Sequence, residues 1–214
     1  MKYKALFLDL DGTILDTIED IRVSVNYSLV KHGFTPRTIE QIRLSLGYGS
    51  PHLIKTSIEK EVDEKTFKAV FDDYKEHYKN HVDIFTKPYD GCLEILTKLK
   101  QKGIKLALIT NKPHDIALQL TDIYFPNLFS VIYGQQTAIK SKPDPESVYL
   151  ALDDLSLRKE EILYIGDSLA DYKTATNAGV DYLICSYGFE TKENLLKNGV
   201  ERIIDNFNEV EAYF

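Results

Sequence analysis

Five short apolar runs constrain the fold of this chain more than any other feature: YKALFLD (3–9), IKLALIT (104–110), FSVIYG (129–134), EILYIGD (161–167) and DYLICSY (181–187). Each is rich in Ile, Leu and Val, the pattern expected of strands covered on both faces in a parallel sheet. Helical patterns separate them. In DGCLEILTKLKQKG (90–103), Cys92, Ile95, Leu96 and Leu99 form one stripe, with Asp90 expected as N-cap and Gly103 as the stop. In DPESVYLALDDL (144–155), Asp144 is expected at the N-cap and Pro145 at the first helical position. This alternation implies right-handed crossovers, so the expected class is α/β, a Rossmann-like doubly wound parallel sheet.

One segment breaks the alternation. From Thr17 to about Asp83 there are helical patterns and no convincing strand: TIEDIRVSVNYSLVKHG, then TIEQIRLSLG with a Thr38/Gln41 capping box, then SPHLIKTSIEKE opened by Ser50 and Pro51, then EKTFKAVFDDYKEHYKNHV. The simplest organisation is an α/β core of residues 1–16 and 84–214 with an inserted all-helical cap domain of residues 17–83. The chain would return to the core through the Pro88 turn.

Composition narrows the function classes. The 214 residues include 43% hydrophobic and 28% charged, an ordinary globular balance that argues against disorder. The net charge of -7 supplies no basic field for nucleic acid, and no apolar run approaches a membrane span. Two cysteines, Cys92 and Cys185, make no metal spacing or disulfide framework. The N-terminal apolar stretch carries two Asp and does not read as a signal peptide. These features predict a cytoplasmic protein, monomer or homodimer, that binds neither nucleic acid nor membrane. An anionic small molecule remains open to it if local cations offset the charge.

In an open parallel sheet, ligands bind beyond the carboxyl ends of the strands, near the switch point of strand order. The first run ends in Asp9, with Asp11 and Gly12 following. The second ends in Thr110, with Asn111 and Lys112; the fourth ends in Asp167, with Ser168 and then Asp171. Lys142 follows the third. Each residue has a plain alternative alone: Asp-Gly is a common turn, Asp167-Ser168 could cap a helix ending at Gly179, and Lys112 and Lys142 could be exposed loop lysines. Together they place carboxylates, a hydroxyl and ammonium groups on one sheet edge.

Four ordered motifs, DLDGTILDT, ITN, SKPDP and GDSLAD, resemble those of the haloacid dehalogenase (HAD) superfamily. The helical insertion after the first motif, with PYDGCLEILTKLKQKGIKLALITNKP and SYGF, resembles its phosphoglycolate phosphatase-like branch. The resemblance spans almost the whole chain and implies a HAD-like core with a cap, Mg²⁺ as cofactor, and a small phosphorylated metabolite as partner. It implies that the Asp11 backbone carbonyl is a metal ligand. An Asp at position 11 is the phosphatase and phosphomutase pattern of that superfamily.

Phosphoryl transfer gives such a cluster its physical reason. A carboxylate approaching a phosphate dianion is repelled, by roughly 1 kcal/mol per charge pair at about 4 Å in water and roughly 4 at an effective dielectric of 20. Asp9 and Asp167 could hold one Mg²⁺, with Lys142 as a second positive charge. Asp9 is the expected nucleophile, forming an aspartyl-phosphate. Asp11, two residues on and on the same side of an extended chain, would act as acid and then base. Thr110, and the Asn111 backbone amide, would donate to phosphoryl oxygens, while Asp171 would orient Lys142 or a metal-bound water. In GYGSP (47–51), Gly47, Tyr48 and Gly49 suggest a tight cap loop facing the site, with an ordinary interhelical turn as its plain alternative. The expected activity is phosphomonoester hydrolysis, and the family resemblance implies 2-phosphoglycolate as first substrate. Pyrophosphate hydrolysis, 5'-nucleotidase activity and phosphosugar mutase activity use the same scaffold, and a phospho-Asp receiver module is the rival from another class.

Overall fold

The computed structural model describes residues 2–214 and contains a six-stranded parallel sheet flanked by helices. Strands β1 (Ala5–Leu8), β4 (Lys105–Pro113), β5 (Val131–Gln135), β6 (Ile162–Gly166), β7 (Asp181–Cys185) and β8 (Ile203–Ile204) lie in the order β5-β4-β1-β6-β7-β8. Two further strands, β2 (Leu15–Asp16) and β3 (Lys87–Pro88), form a separate antiparallel pair. The five apolar runs thus supply five of the six sheet strands. The sixth, β8, and the β2–β3 pair are two residues long per strand, too short for any periodicity to register.

The strands are buried on both faces because helices cover both. Leu6, Leu8, Leu106, Leu108, Leu163 and Ile165 point into one core, with Cys92, Ile95, Leu96 and Leu99 of α5 (Cys92–Gln101) and Ile116 and Leu120 of α6 (His114–Tyr124). Their alternating neighbours Ala5, Phe7, Ala107, Ile109, Ile162 and Tyr164 enter the other core, against α7 (Glu146–Leu155) and α8 (Leu169–Ala178). The side-chain period of two is preserved, although both faces are apolar. The chain fills one side of β1 with β4 and β5, then returns to its other side with β6, so the switch point lies between β1 and β6. A final helix, α9 (Lys192–Lys197), precedes β8.

Two helix starts differ from expectation. Helix α5 is entered through Gly91, at φ +79°, rather than capped by Asp90; the left-handed backbone that Gly91 accepts sets the entry angle. Helix α7 begins one residue late, with Pro145 at the cap, and the Asp144 carboxylate accepts from the Glu146 amide at 3.0 Å. Ser168 and Asp171 form a reciprocal capping box on α8, which stops at Gly179 in the left-handed region.

Between β2 and β3 the chain forms α1 (Ile18–Lys31), α2 (Ile39–Arg43), α3 (Ser50–Ile58) and α4 (Glu64–Lys79). The Thr38/Gln41 capping box opens α2, and the Asp63 carboxylate caps α4 through the Thr66 amide at 2.7 Å. On α4, Phe67, Phe71, Tyr74 and Tyr78 recur every three or four residues and stack in sequence, with ring centroids 5.8, 6.5 and 5.7 Å apart. The two passages into and out of this helical segment are paired, Leu15 with Pro88 and Asp16 with Lys87. Buried Asp20 of α1 accepts from the Thr86 amide at 2.8 Å and the Thr86 hydroxyl at 2.7 Å, tying the first helix to the returning strand. No helix among the described residues is long and apolar enough to cross a membrane.

Candidate active site

The β1/β6 switch point places Asp9 after one strand and Asp167 after its neighbour. Asp9, Asp167 and Asp171 bring carboxylate oxygens within 4.8 Å of one another, and all three are buried. Lys142 reaches the same point from the segment after β5. Its Nζ lies 2.6 Å from Asp171 Oδ1 and 2.9 Å from Asp9 Oδ1. The side chain of Asn111 holds that segment by accepting from the Lys142 amide at 2.8 Å and donating to the Lys142 carbonyl at 3.1 Å. The same Asn111 amide group donates to the Gly47 carbonyl at 3.0 Å, joining β4 to the loop between α2 and α3. Sequence reasoning gave Asn111 only a backbone amide to offer. Its side chain is committed to these backbone contacts instead.

The carboxylates are not equivalent. Asp171 is saturated: Lys142 and the Tyr164 hydroxyl (2.9 Å) donate to Oδ1, and the Ser168 hydroxyl (2.5 Å) and amide (3.2 Å) donate to Oδ2. Asp167 accepts from the Thr13 hydroxyl at 3.2 Å and the Phe189 amide at 2.7 Å. Asp9, by contrast, has the Lys142 ammonium, 2.9 Å from Oδ1, as its single close charged partner and accepts no hydrogen bond from a hydroxyl or backbone amide among the described residues. Burial raises the Asp9 carboxyl to about 6, opposed by the Lys142 charge and reinforced by Asp171 and Asp11. Burial raises Asp167 well above the usual carboxylate range, with Asp171 and Asp9 adding repulsion. Burial pulls the Lys142 ammonium down, but the charges of Asp171 and Asp9 outweigh it and leave Lys142 raised.

Glycines make room for this cluster. A Cβ on Gly12, whose φ is +81°, would collide with the Asp167 carboxylate, and one on Gly188 would strike Asp167 and the Gly12 carbonyl. The Asp11-Gly12 turn is therefore needed for close approach as well as for conformation.

Asp11 does not continue an extended strand beyond Asp9, as the sequence suggested. Strand β1 ends at Leu8, and Asp11 lies in a turn bridged to Leu15. Its carboxylate is held by the Thr17 hydroxyl at 2.7 Å and by Lys112 Nζ at 2.7 and 2.9 Å. Lys112 is buried rather than solvated and also donates to the Tyr78 hydroxyl of α4 at 2.7 Å. The register shift in β4 between Ile109 and Pro113 falls across Thr110, Asn111 and Lys112, a bulge of the kind that re-aims side chains at sheet edges. Thr110 Oγ1 accepts from the Lys112 amide at 3.3 Å, which leaves its own O–H free to donate.

Asp9, Asp11, Thr110, Asn111, Lys112, Lys142, Asp167 and Ser168 line one cavity of about 270 Å³ with Gly47, Tyr48 and Gly49 from the helical segment. Sequence reasoning missed Thr13, Thr17, Tyr78, Tyr164 and Arg43. Tyr164 sits inside an apolar run and reads as core; Thr17 meets Asp11 only six residues away, within DLDGTILDT, whereas Thr13, Tyr78 and Arg43 reach their partners across long sequence separations. Four carboxylates, Asp9, Asp11, Asp167 and Asp171, face only two ammonium groups, Lys112 and Lys142. Hard oxygen donors brought together in a buried cluster, and an excess of carboxylates over the ammonium groups that reach them, fit a small divalent cation held by Asp9 and Asp167.

The sequence profile of haloacid dehalogenase-like hydrolases matches residues 6–185. A phosphoglycolate phosphatase of Colwellia psychrerythraea is 33% identical over 215 residues, covering 97% of this chain and 95% of that relative. An N-acetylmuramic acid 6-phosphate phosphatase of Pseudomonas aeruginosa is 26% identical, covering 98% and 94%. A crystal structure from Lactobacillus delbrueckii subsp. bulgaricus superposes with a TM-score of 0.92 at 29% identity, covering 100% of this chain and 98% of that one. With this cluster at its switch point and these relatives along nearly its whole length, the chain belongs to the haloacid dehalogenase-like hydrolases.

Proposed function

We propose that the protein hydrolyses a small phosphomonoester, 2-phosphoglycolate being the first candidate, with Mg²⁺ held by Asp9, Asp167 and the Asp11 carbonyl. The observation that carries this reading is the buried Asp9 carboxylate at the end of β1, set beside both the Lys142 ammonium and the Asp167 carboxylate. HAD-like phosphatases in general use Mg²⁺, and these donors are hard oxygens suited to it. Bound there, the ion would supply positive charge against the repulsion between Asp9 and the incoming phosphate. Both relatives described above are named for substrates that are carboxylic acids as well as phosphate esters.

Asp9 attacks phosphorus and becomes an aspartyl-phosphate as the leaving alkoxide departs. Asp11 protonates that alkoxide and then takes a proton from the water that hydrolyses the acyl phosphate. Thr110 donates its free hydroxyl, and Asn111 its backbone amide, to the phosphoryl oxygens, while Lys142 spreads positive charge over them. Asp171 fixes Lys142, with Ser168 and Tyr164 fixing Asp171 in turn. Residues 17–83 act as a cap over the strand ends, hinged at the β2–β3 pair, and the Gly47–Gly49 loop closes the cavity around the leaving group.

The test is phosphate release from a panel holding 2-phosphoglycolate, pyrophosphate, nucleoside 5'-monophosphates and phosphosugars, with and without Mg²⁺. Magnesium-dependent release, highest with 2-phosphoglycolate, is the expected result. Preference for pyrophosphate or a nucleotide would replace the substrate, and isomerisation of a phosphosugar without net release would replace hydrolysis by a mutase reaction.

A further inference from the structure

Arg43, at the end of α2, also lines the cavity. A guanidinium has five N–H donors in a planar fork and no acceptor. Here that fork is poorly used. Its Nη1 makes one long hydrogen bond, 3.4 Å, to the Gly188 carbonyl of the core. Its Nε lies 3.5 Å from the largely exposed Glu40 carboxylate and makes no hydrogen bond, although the atom is buried. The cavity's other two cations are committed elsewhere, Lys142 to Asp9 and Asp171 and Lys112 to Asp11 and Tyr78. Arg43 is thus the cavity cation whose donors the protein leaves unmet.

Its location adds to this. The Gly188 carbonyl that Arg43 touches precedes the Phe189 amide that binds Asp167, so the guanidinium reaches the core beside the Asp167 end of the cluster. It enters from the helical segment, opposite the strand ends that would hold the transferring phosphate. A leaving group extending from that phosphate into a cavity of about 270 Å³ would meet the cap-side lining, where Arg43 is the cation. Planar guanidinium and carboxylate pair through two parallel hydrogen bonds, and a buried, unmet donor gains most from such a partner.

We infer that Arg43 is a specificity-determining residue that selects phosphomonoesters whose leaving group carries a carboxylate. This rests on the phosphatase reading and narrows it: the phosphate is handled by the core, and the second anion by Arg43. Glu40, largely exposed and at 3.5 Å from Nε, is the carboxylate that an incoming substrate anion would displace from the guanidinium.

The experiment compares kcat/KM for 2-phosphoglycolate and for 2-hydroxyethyl phosphate, a near-isostere with a neutral leaving group, using the full chain with Mg²⁺. The ratio of the two is the readout, because a tether between cap and core would alter both esters together. The wild type should favour the acid. Arg43→Gln should lower the ratio about tenfold or more, Arg43→Lys should fall between the two, and Arg43→Glu should lie lowest. A wild-type ratio at or below one, or an Arg43→Gln ratio equal to wild type, overturns the inference while leaving the phosphatase reading intact. Release from no ester at all overturns both. If Arg43→Gln fails to fold, the ratio for Arg43→Lys, which keeps the charge and loses the fork, decides in the same way.

Discussion

Asp9 and Asp171 bind the same ammonium group, yet their surroundings prepare them for different work. Asp171 has four donors on two oxygens, an arrangement that holds a carboxylate still. Asp9 has only its share of the Lys142 ammonium and a carboxyl that burial raises to about 6, so its charge is under-compensated until a cation or a phosphorus atom arrives. Asp9→Asn should reduce phosphate release by about 10³-fold or more and abolish trapping of labelled phosphate on the protein in a single turnover. The same substitution removes a buried charge that the fold does not fully balance. Its melting temperature in magnesium-free buffer near neutral pH should therefore equal or exceed that of the wild type, by differential scanning calorimetry. A large drop in melting temperature would show that Asp9 holds the fold together rather than storing reactivity. Asp171→Asn has the opposite profile: it leaves the nucleophile in place but weakens the buried partner of Lys142, so stability should fall.

At the level of elements, the contacts that join the helical segment to the sheet run through the chemistry. Helix α4 reaches Asp11 by way of Tyr78 and Lys112, the α2–α3 loop reaches Lys142 by way of Asn111, and α1 holds the returning strand by way of Asp20. Lys112→Met should lower kcat by about 10²-fold with a much smaller change in KM, because it frees the Asp11 carboxylate, the proposed acid and base, without removing it. Tyr78→Phe removes only an acceptor for Lys112 and should cost a few-fold in kcat, by steady-state kinetics. These links explain what was and was not legible in the sequence. Asp9, Thr110 and Asp167 end apolar runs, and a strand's carboxyl end is where a parallel sheet presents ligands, so their convergence followed from position. Lys142 needed its neighbours in the constellation, and Lys112 gave no sign of burial. Tyr78 sits in an aromatic stripe that packs α4, and Tyr164 in a strand; each uses its ring locally and its hydroxyl at long range, and periodicity reports only the first. The strands β2, β3 and β8 were invisible because two residues carry no period.

For the whole molecule, the site sets a dependence of stability on pH and metal. Asp9 keeps its proton up to about pH 6 in the folded protein against 3.8 for the ordinary side chain, and Asp167 is shifted in the same direction. The folded state therefore binds protons more tightly than the unfolded chain in that window. This contribution to stability is fully present below 3.8 and is lost as pH rises through about 6, so without metal these two groups oppose folding near neutral pH. A divalent cation reverses the sign. It binds the deprotonated carboxylates, so its affinity grows as they lose their protons, and it binds the folded state because only there do Asp9 and Asp167 meet. At a free Mg²⁺ concentration about 100 times its Kd, linkage supplies about 2.7 kcal/mol, and for a chain of this size each kcal/mol moves the melting temperature by about 2–4 °C. Saturating Mg²⁺ should then raise the melting temperature by about 5–10 °C near pH 7.5 and by clearly less near pH 5, with EDTA reversing the gain. The Asp9→Asn and Asp167→Asn variants should lose most of the increment at both pH values. An increment equal at the two pH values, or retained in both variants, would place the ion elsewhere on this acidic surface, and the charge shortfall at the β1/β6 switch point would then need another occupant.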